Sequence, residues 1–215
     1  MAFVGGAVLV FWLADSWLAL PLLLLALFCL YFFRDPERMI PDGPHVVAPA
    51  DGTVTAVNSL SPTINRISIF LSVFDVHVVR SPIGGEITKV EYQKGRFLPA
   101  SFVESSLQNE HNIVTIQGDD TSVVFKQIAG IIVRRIICTK TAGDRVSIGE
   151  RVGLIKFGSR VDVFLGTEWE IIVHPGGHVL AGATIIARRC ASKSTAASCP
   201  RPAVDDSNRQ AGVLQ

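Results

Sequence analysis

From Val46 to Ala187 the chain offers no long amphipathic helix, which restricts it to folds built from strands. Short runs rich in Val, Ile, Thr and Phe alternate with clusters of Gly, Pro and Asp. β-Branched and aromatic side chains suit a pleated, half-buried surface, and the Gly/Pro/Asp clusters supply turns. The pattern predicts strands over Gly52–Val57, Arg66–Leu71, His77–Val79, Gly85–Tyr92, Asn112–Gln117 and Ser122–Ala129. It predicts more over Arg134–Thr139, Arg151–Lys156, Arg160–Phe164, Glu170–Val173 and Thr184–Ala187. Their even spacing argues for a mainly β domain of the sandwich or barrel kind. Leu98–Gln108 reads as one short helix or a loop.

The residues ahead of this region follow a different physics. Between Ala2 and Phe33 the one charged side chain is Asp15, and Ser16–Phe33 is an uncharged run of 18 residues. That length meets the requirement for crossing a bilayer. Two arrangements fit: a single N-terminal transmembrane helix with an interfacial lead-in, or a re-entrant hairpin turning near Asp15. A cleaved signal peptide fits less well. No basic region precedes the apolar run, and Phe32-Phe33-Arg34 stands where small residues are needed. Arg34 and Arg38 follow directly, so the positive-inside rule predicts a cell-membrane protein whose remainder is cytoplasmic. Residues 1–33 are thus read as membrane segment, 34–45 as a polar, Pro-rich linker, and 46–188 as the β-rich domain. Residues 189–215, rich in Ala, Ser, Pro and Arg, read as a disordered tail.

The sequence echoes itself. Gly143-Asp144-Arg145-Val146-Ser147-Ile148-Gly149 returns 33 residues later as Gly176-Gly177-His178-Val179-Leu180-Ala181-Gly182, with both glycines and the valine kept. Gly-x-x-Val-x-x-Gly makes a tight turn: the glycines permit positive φ and the valine anchors the loop to the core. The pattern resembles the turns of biotinyl- and lipoyl-carrier domains, and Pro49-Ala50-Asp51-Gly52-Thr53-Val54 resembles their opening strand. A barrel-sandwich hybrid of duplicated motifs is the expected architecture.

Few residues are placed for chemistry. A net charge of +1 gives no basic surface for nucleic acid. The four cysteines, Cys29, Cys138, Cys190 and Cys199, have neither metal-ligand spacing nor a disulfide framework. The five histidines form no helical metal pair, so no metal site is expected. Asp51 and His77 each sit beside turn chemistry at a strand end, and Ser159 lies in Phe157-Gly158-Ser159-Arg160 between two strand-like runs. Each alone reads as structural: a turn aspartate, a strand histidine, a turn serine. Together an acid, an imidazole and a serine are the parts of a nucleophilic site. The Gly-x-Ser-x-Gly context and strand–helix alternation of an α/β-hydrolase are absent.

A series of motifs occurs in order from about residue 20 to 188. They are Phe32-Phe33-Arg34-Asp35-Pro36-Glu37-Arg38, Pro49-Ala50-Asp51-Gly52, Phe74-Asp75-Val76-His77-Val78 and Gln127-Ile128-Ala129-Gly130. They continue with Arg134-Arg135-Ile136, Gly143-Asp144-Arg145-Val146, Gly149-Glu150-Arg151 and Ile155-Lys156-Phe157-Gly158-Ser159-Arg160-Val161-Asp162. In these the chain resembles the phosphatidylserine decarboxylase proenzymes of the short, membrane-associated type.

The resemblance implies a pyruvoyl enzyme that cuts itself between Gly158 and Ser159. Ser159 Oγ attacks the Gly158 carbonyl to give an ester, elimination releases a chain ending at Gly158, and the dehydroalanine left behind hydrolyses to the pyruvoyl cofactor and ammonia. The products are a β chain, 1–158, and an α chain, 159–215, which stay associated. A phospholipid is the substrate: its amine forms a Schiff base with the pyruvoyl group, CO2 departs, and phosphatidylethanolamine results. His77 is the candidate proton donor and Asp51 its acidic companion. Arg80, Arg134, Arg135, Lys156 and Arg160 are candidates for binding the phosphate or carboxylate, against the plain reading of a solvated charged edge. Longer members of the family carry a second histidine where Arg80 stands, and Glu110-His111-Asn112 replaces the usual Glu-Arg-Asn. The residue that activates Ser159 is therefore open, and so is a part for His111. The resemblance also allows a homo-oligomer. Competing readings are an ether-lipid analogue of the substrate, as in an archaetidylserine-type decarboxylase, a non-enzymatic biotinyl/lipoyl-like binding module, and a membrane-anchored serine hydrolase.

Overall fold

The computed structural model describes residues 19–95, 108–130, 136–156 and 159–190. Expectations for Arg134, Arg135, Phe157, Gly158, most of Leu98–Gln108 and the tail beyond residue 190 lie outside the described residues. The chain is mainly β. One helix, α1 (Ala19–Phe32), precedes fourteen strands among the described residues. Eight form one sheet: β2 (Gly52–Ser61), β3 (Ile64–Leu71), β5 (Gly85–Gln93), β6 (His111–Gln117), β7 (Ser122–Ile128), β9 (Arg145–Val146), β11 (Ser159–Gly166) and β13 (His178–Val179). Their order is β13-β2-β3-β11-β7-β6-β5-β9. A second sheet runs β4-β10-β8, from Val78–Arg80, Arg151–Ile155 and Ile136–Cys138. A third runs β1-β14-β12, from His45–Val47, Ile185–Arg189 and Trp169–Ile171. Every pairing is antiparallel.

Period-2 alternation decides which face of the large sheet is core. Ile67, Ile69 and Leu71 on β3, Val161, Val163 and Leu165 on β11, and Phe125 on β7 share one buried apolar cluster. The intervening positions of the same strands, Ser68, Lys126, Arg160 and Asp162, form a second, polar face that is also buried.

The sequence echo is an echo of conformation. Gly143, Gly149, Gly176 and Gly182 all have positive φ, at 96°, 74°, 88° and 75°. The valines between them lie on β9 and β13, at opposite edges of the large sheet. The 33-residue offset also relates β1 to β4, Gly52 to Gly85, and the first residue of β8 to that of β12. Two reciprocal hydrogen bonds mark the centre of this internal two-fold. Val47 N donates to the Pro82 carbonyl at 3.0 Å, and Arg80 N donates to the Pro49 carbonyl at 2.8 Å.

Two placements change. Ser159 opens β11 rather than sitting in a turn before it, and His77 precedes β4 rather than lying within a strand. The described helix has 14 residues. At 1.5 Å per residue it spans about 21 Å, short of a ~30 Å hydrocarbon core. Among the described residues no helix is long and apolar enough to cross a membrane. Residues 34–44 lack regular structure, as their turn chemistry suggests, but they are strapped to the β domain. Asp35 pairs with Arg80 (2.8 Å) and with Arg151, Glu37 pairs with Arg151 (3.0 Å), and Arg38 pairs with Asp51 (2.7 Å).

Gly153 sits mid-way along β10, between β4 and β8, where a Cβ would lie 2.1 Å from the Ile137 carbonyl oxygen. Replacing it with Ala should cost at least about 3 kcal/mol, because backbone must move. Gly143, at φ 96° with open space around it, is the control: Gly143→Ala should cost only about 1 kcal/mol of backbone strain. Urea unfolding of both variants measures the difference.

Candidate active site

Two backbone contacts bracket one gap. β11 enters the large sheet with Ser159 opposite Leu71 of β3. β10 ends in the small sheet at Ile155, whose N–H donates to the His77 carbonyl at 3.1 Å. Ser159 and Ile155 thus stand against the two ends of the turn from Leu71 to His77. Asp75 holds the turn: its carboxylate accepts from Ser72 N and Ser72 Oγ, both at 2.7 Å.

His77 is fully buried at one end of this gap. Its Nδ1 lies 2.9 Å from the Asp75 carbonyl oxygen. A carbonyl only accepts, so Nδ1 carries the hydrogen and Nε2 presents its lone pair. Nε2 is buried with no hydrogen-bond partner. Burial pushes the His77 pKa below the ordinary imidazole value, opposed by the Asp75 carbonyl and the Asp75 charge. At neutral pH the ring is an uncharged base. The Phe32 ring covers it at 4.4 Å between centroids. Phe32 is the last residue of α1, so the apolar helix ends on the histidine. Tyr31 Oη (3.2 Å) and Arg34 Nη2 (2.6 Å) both donate to the Phe74 carbonyl and pin that helix end to the turn.

Ser159 is fully buried, and its Oγ has no hydrogen-bond partner. It faces the apolar interior, in line with Val161 and Val163 along β11. On the neighbouring strand β7, Gln127 pairs with Val161 and so shares that face. Asn112 of β6 stands opposite Gln127 and donates to its Oε1 at 3.0 Å. Gln127 Nε2 is buried and partnerless, like Ser159 Oγ and His77 Nε2. Sequence reasoning passed over Gln127, Asn112 and Phe32. The signal for the amides was present: both occupy inward positions on strands whose other inward residues are Val, Ile and Phe.

The remaining candidates take other places. Asp51 touches neither His77 nor Ser159 by a hydrogen bond. Its Oδ1 accepts from Ala181 N and its Oδ2 from Arg38, both at 2.7 Å. Burial raises its pKa, against the lowering effect of the Ala181 N–H and the Arg38 charge. The carboxylate ties the strap to the turn after β13. Arg80, considered for phosphate, is buried and committed to Asp35, the Pro36 carbonyl (3.2 Å) and the Gly149 carbonyl (3.2 Å). Arg160, one residue after Ser159, points to the opposite face, where it binds Asp162 (2.6 Å) and Ser68 (2.8 Å). His111 also lies on the face away from Asn112, with Nδ1 2.7 Å from the Asn109 carbonyl. Lys156 follows β10 directly, half-buried, with Nζ 5.5 Å from the Phe33 ring centroid.

The family model for phosphatidylserine decarboxylase matches residues 25–187. A phosphatidylserine decarboxylase proenzyme from Solibacter usitatus is 60% identical over 194 residues, covering 90% of this chain and 95% of that protein. Proteins of the same description from Saccharopolyspora erythraea and Beijerinckia indica are each 42% identical. The first match covers 85% of this chain and 83% of that protein, the second 94% and 90%. The order of the motifs, the antiparallel domain and the likeness along nearly the whole chain agree: the chain belongs to the phosphatidylserine decarboxylase family.

Proposed function

We propose that the protein decarboxylates phosphatidylserine to phosphatidylethanolamine, after cutting itself between Gly158 and Ser159 and converting Ser159 into a pyruvoyl group. The observation that carries this reading is the buried, partnerless Ser159 Oγ at the start of β11, bracketed with a neutral His77 whose Nε2 is equally partnerless. A buried hydroxyl without a partner costs about 1–3 kcal/mol. That cost is accounted for if the oxygen is a nucleophile. The residues also fit the group that would replace the serine. A small ketone at position 159 would meet an apolar wall and the Gln127 amide rather than a buried charge. Once formed, that ketone would supply the electron sink for decarboxylation.

The chain's own residues divide the remaining work. In the precursor, His77 Nε2 takes the proton from Ser159 Oγ. In the cleaved enzyme, the same atom returns a proton to the substrate carbon that has lost CO2. Phe32 shields this exchange from water. Lys156, beside the aromatic end of α1, suits the lipid phosphate. β11 pairs with β3 along its whole length, which would keep the α and β chains associated after the cut. The exposed leucines of α1, among them Leu20, Leu24, Leu27 and Leu30, form an apolar surface ending beside His77. They support attachment to the cell membrane that holds the substrate, with the β domain on the cytoplasmic side next to Arg34 and Arg38. The four positive-φ glycines and the 33-residue offset support a barrel-sandwich hybrid duplicated from one biotinyl/lipoyl-like motif.

A Ser159→Ala variant should fold, migrate as one full-length chain on a denaturing gel, and release no CO2. The unaltered protein should yield chains of 1–158 and 159–215 by intact mass. An active wild type that remains one chain would refute the proposal. The lowered His77 pKa sets opposite pH dependences for the two steps. Self-cleavage needs the neutral ring, so its rate should hold as pH falls through about 6.5, the ordinary imidazole value, and drop only below it. Decarboxylation needs the protonated ring, so CO2 release should rise as pH falls over that range. Gel densitometry and CO2 release across about pH 5 to 8 measure both.

A further inference from the structure

Five buried polar side-chain atoms lack partners among the described residues, and three of them belong to Gln127, Ser159 and His77. None of the three is hydrogen-bonded to another in the structure, but their polarities are complementary. The Asp75 carbonyl accepts from His77 Nδ1, so Nε2 can only accept. Asn112 Nδ2 donates to Gln127 Oε1, so the Gln127 amide is oriented with Nε2 free to donate. A serine hydroxyl does both. A chain joining them would have one consistent direction: Asn112 Nδ2–H to Gln127 Oε1, which the structure shows, then Gln127 Nε2–H to Ser159 Oγ, and Ser159 Oγ–H to His77 Nε2.

We propose that Gln127 is a positioning residue for self-cleavage: held by Asn112, its amide moves to donate to Ser159 Oγ as cleavage begins and turns the hydroxyl proton toward His77. The inference rests on the self-cleavage reading above. The sheet register supplies the placement. Gln127 pairs with Val161, and Ser159 is two residues before Val161 on the same face. Such diagonal neighbours have Cβ atoms about 7 Å apart, within reach of a long side chain. His77 is brought to the same gap by the Ile155–His77 and Ser159–Leu71 contacts. With Oγ accepting from the amide, its lone pair and proton are no longer interchangeable by free rotation. The proton leaves to His77 Nε2. The oxygen forms a bond to the Gly158 carbonyl carbon, the Gly158–Ser159 C–N bond breaks, and the proton is returned to the departing nitrogen. An ester and a free amine result, with no other reactant.

The role separates from a purely structural one because the two amides form a pair that can be replaced by an apolar pair. Gln127→Met removes the donor and strands Asn112 Nδ2. The double variant Gln127→Met/Asn112→Leu removes both partners with little change in volume, which relieves the stranded group. Self-cleavage of the full chain is followed by denaturing gel and intact mass, and folding by thermal melting. The expected result is that Gln127→Met cleaves about tenfold or more slowly than wild type. The double variant should melt at or above the temperature of Gln127→Met and still cleave slowly. Cleavage by Gln127→Met at the wild-type rate overturns the proposal. So does recovery of cleavage in the double variant together with its melting temperature, or a double variant that does not fold, since either assigns the amides to stability alone. A wild type that fails to cleave removes the self-cleavage reading instead, and the two failures are told apart on the same gel.

Discussion

The site depends on one backbone constraint: Ser159 is held opposite Leu71, and Ile155 is held against the His77 carbonyl. The first contact belongs to the large sheet and the second to the edge of a small one. Both contacts fall on the turn that runs from Leu71 to His77. Neither contact involves a side chain, so the site is located by sheet register and only then furnished with chemistry. Gly153 makes the arrangement possible, since any side chain there would push β10 away from the Ile137 carbonyl and shift Ile155 with it.

Burial then sets the chemical state of what the register has placed. His77 is held neutral because its ring is desolvated beneath Phe32, and the Asp75 carbonyl fixes the tautomer without contributing a full charge. This differs from a relay in which a carboxylate contacts the imidazole. Asp51, the carboxylate expected in that part, is spent on Arg38 and Ala181 instead. Arg80 and Arg151 are likewise spent on Asp35 and Glu37. The charges of the Arg34–Arg38 segment thus hold the strap against the β domain, and the strap holds Phe32 against His77. An alteration in this network would act on the histidine through the packing of α1 rather than through direct contact.

The internal two-fold accounts for another part of the architecture. Repetition at 33 residues yields two equivalent edges for the large sheet, each closed by a short strand between positive-φ glycines. The halves are alike in backbone and unlike in side chains. Asp51 precedes Gly52 in one half, whereas Gly84 precedes Gly85 in the other. The echo is visible at the glycines because they set the backbone conformation, which both halves share, and not at side chains such as Asp51, which they do not.

What the sequence by itself determined is the part governed by local rules. Alternation and turn residues specified a mainly β chain and most of its strands, and the Gly-x-x-Val-x-x-Gly echo specified the conformation of two loops. The ordered motifs pointed to the family and to the Gly158–Ser159 bond. Tertiary structure alone decided who stands beside whom. Whether Arg80 faces a ligand or Asp35, whether Arg160 joins Ser159 or turns away from it, and whether Phe32 ends in lipid or on His77 depend on contacts between residues far apart in the chain. Motif content is silent on these points, because a charged side chain's local pattern is the same whether its partner is substrate or protein. The inward amides Gln127 and Asn112 lie between the two cases. Strand parity marks them as polar groups in a core, but only the register across β6, β7 and β11 brings them into line with Ser159.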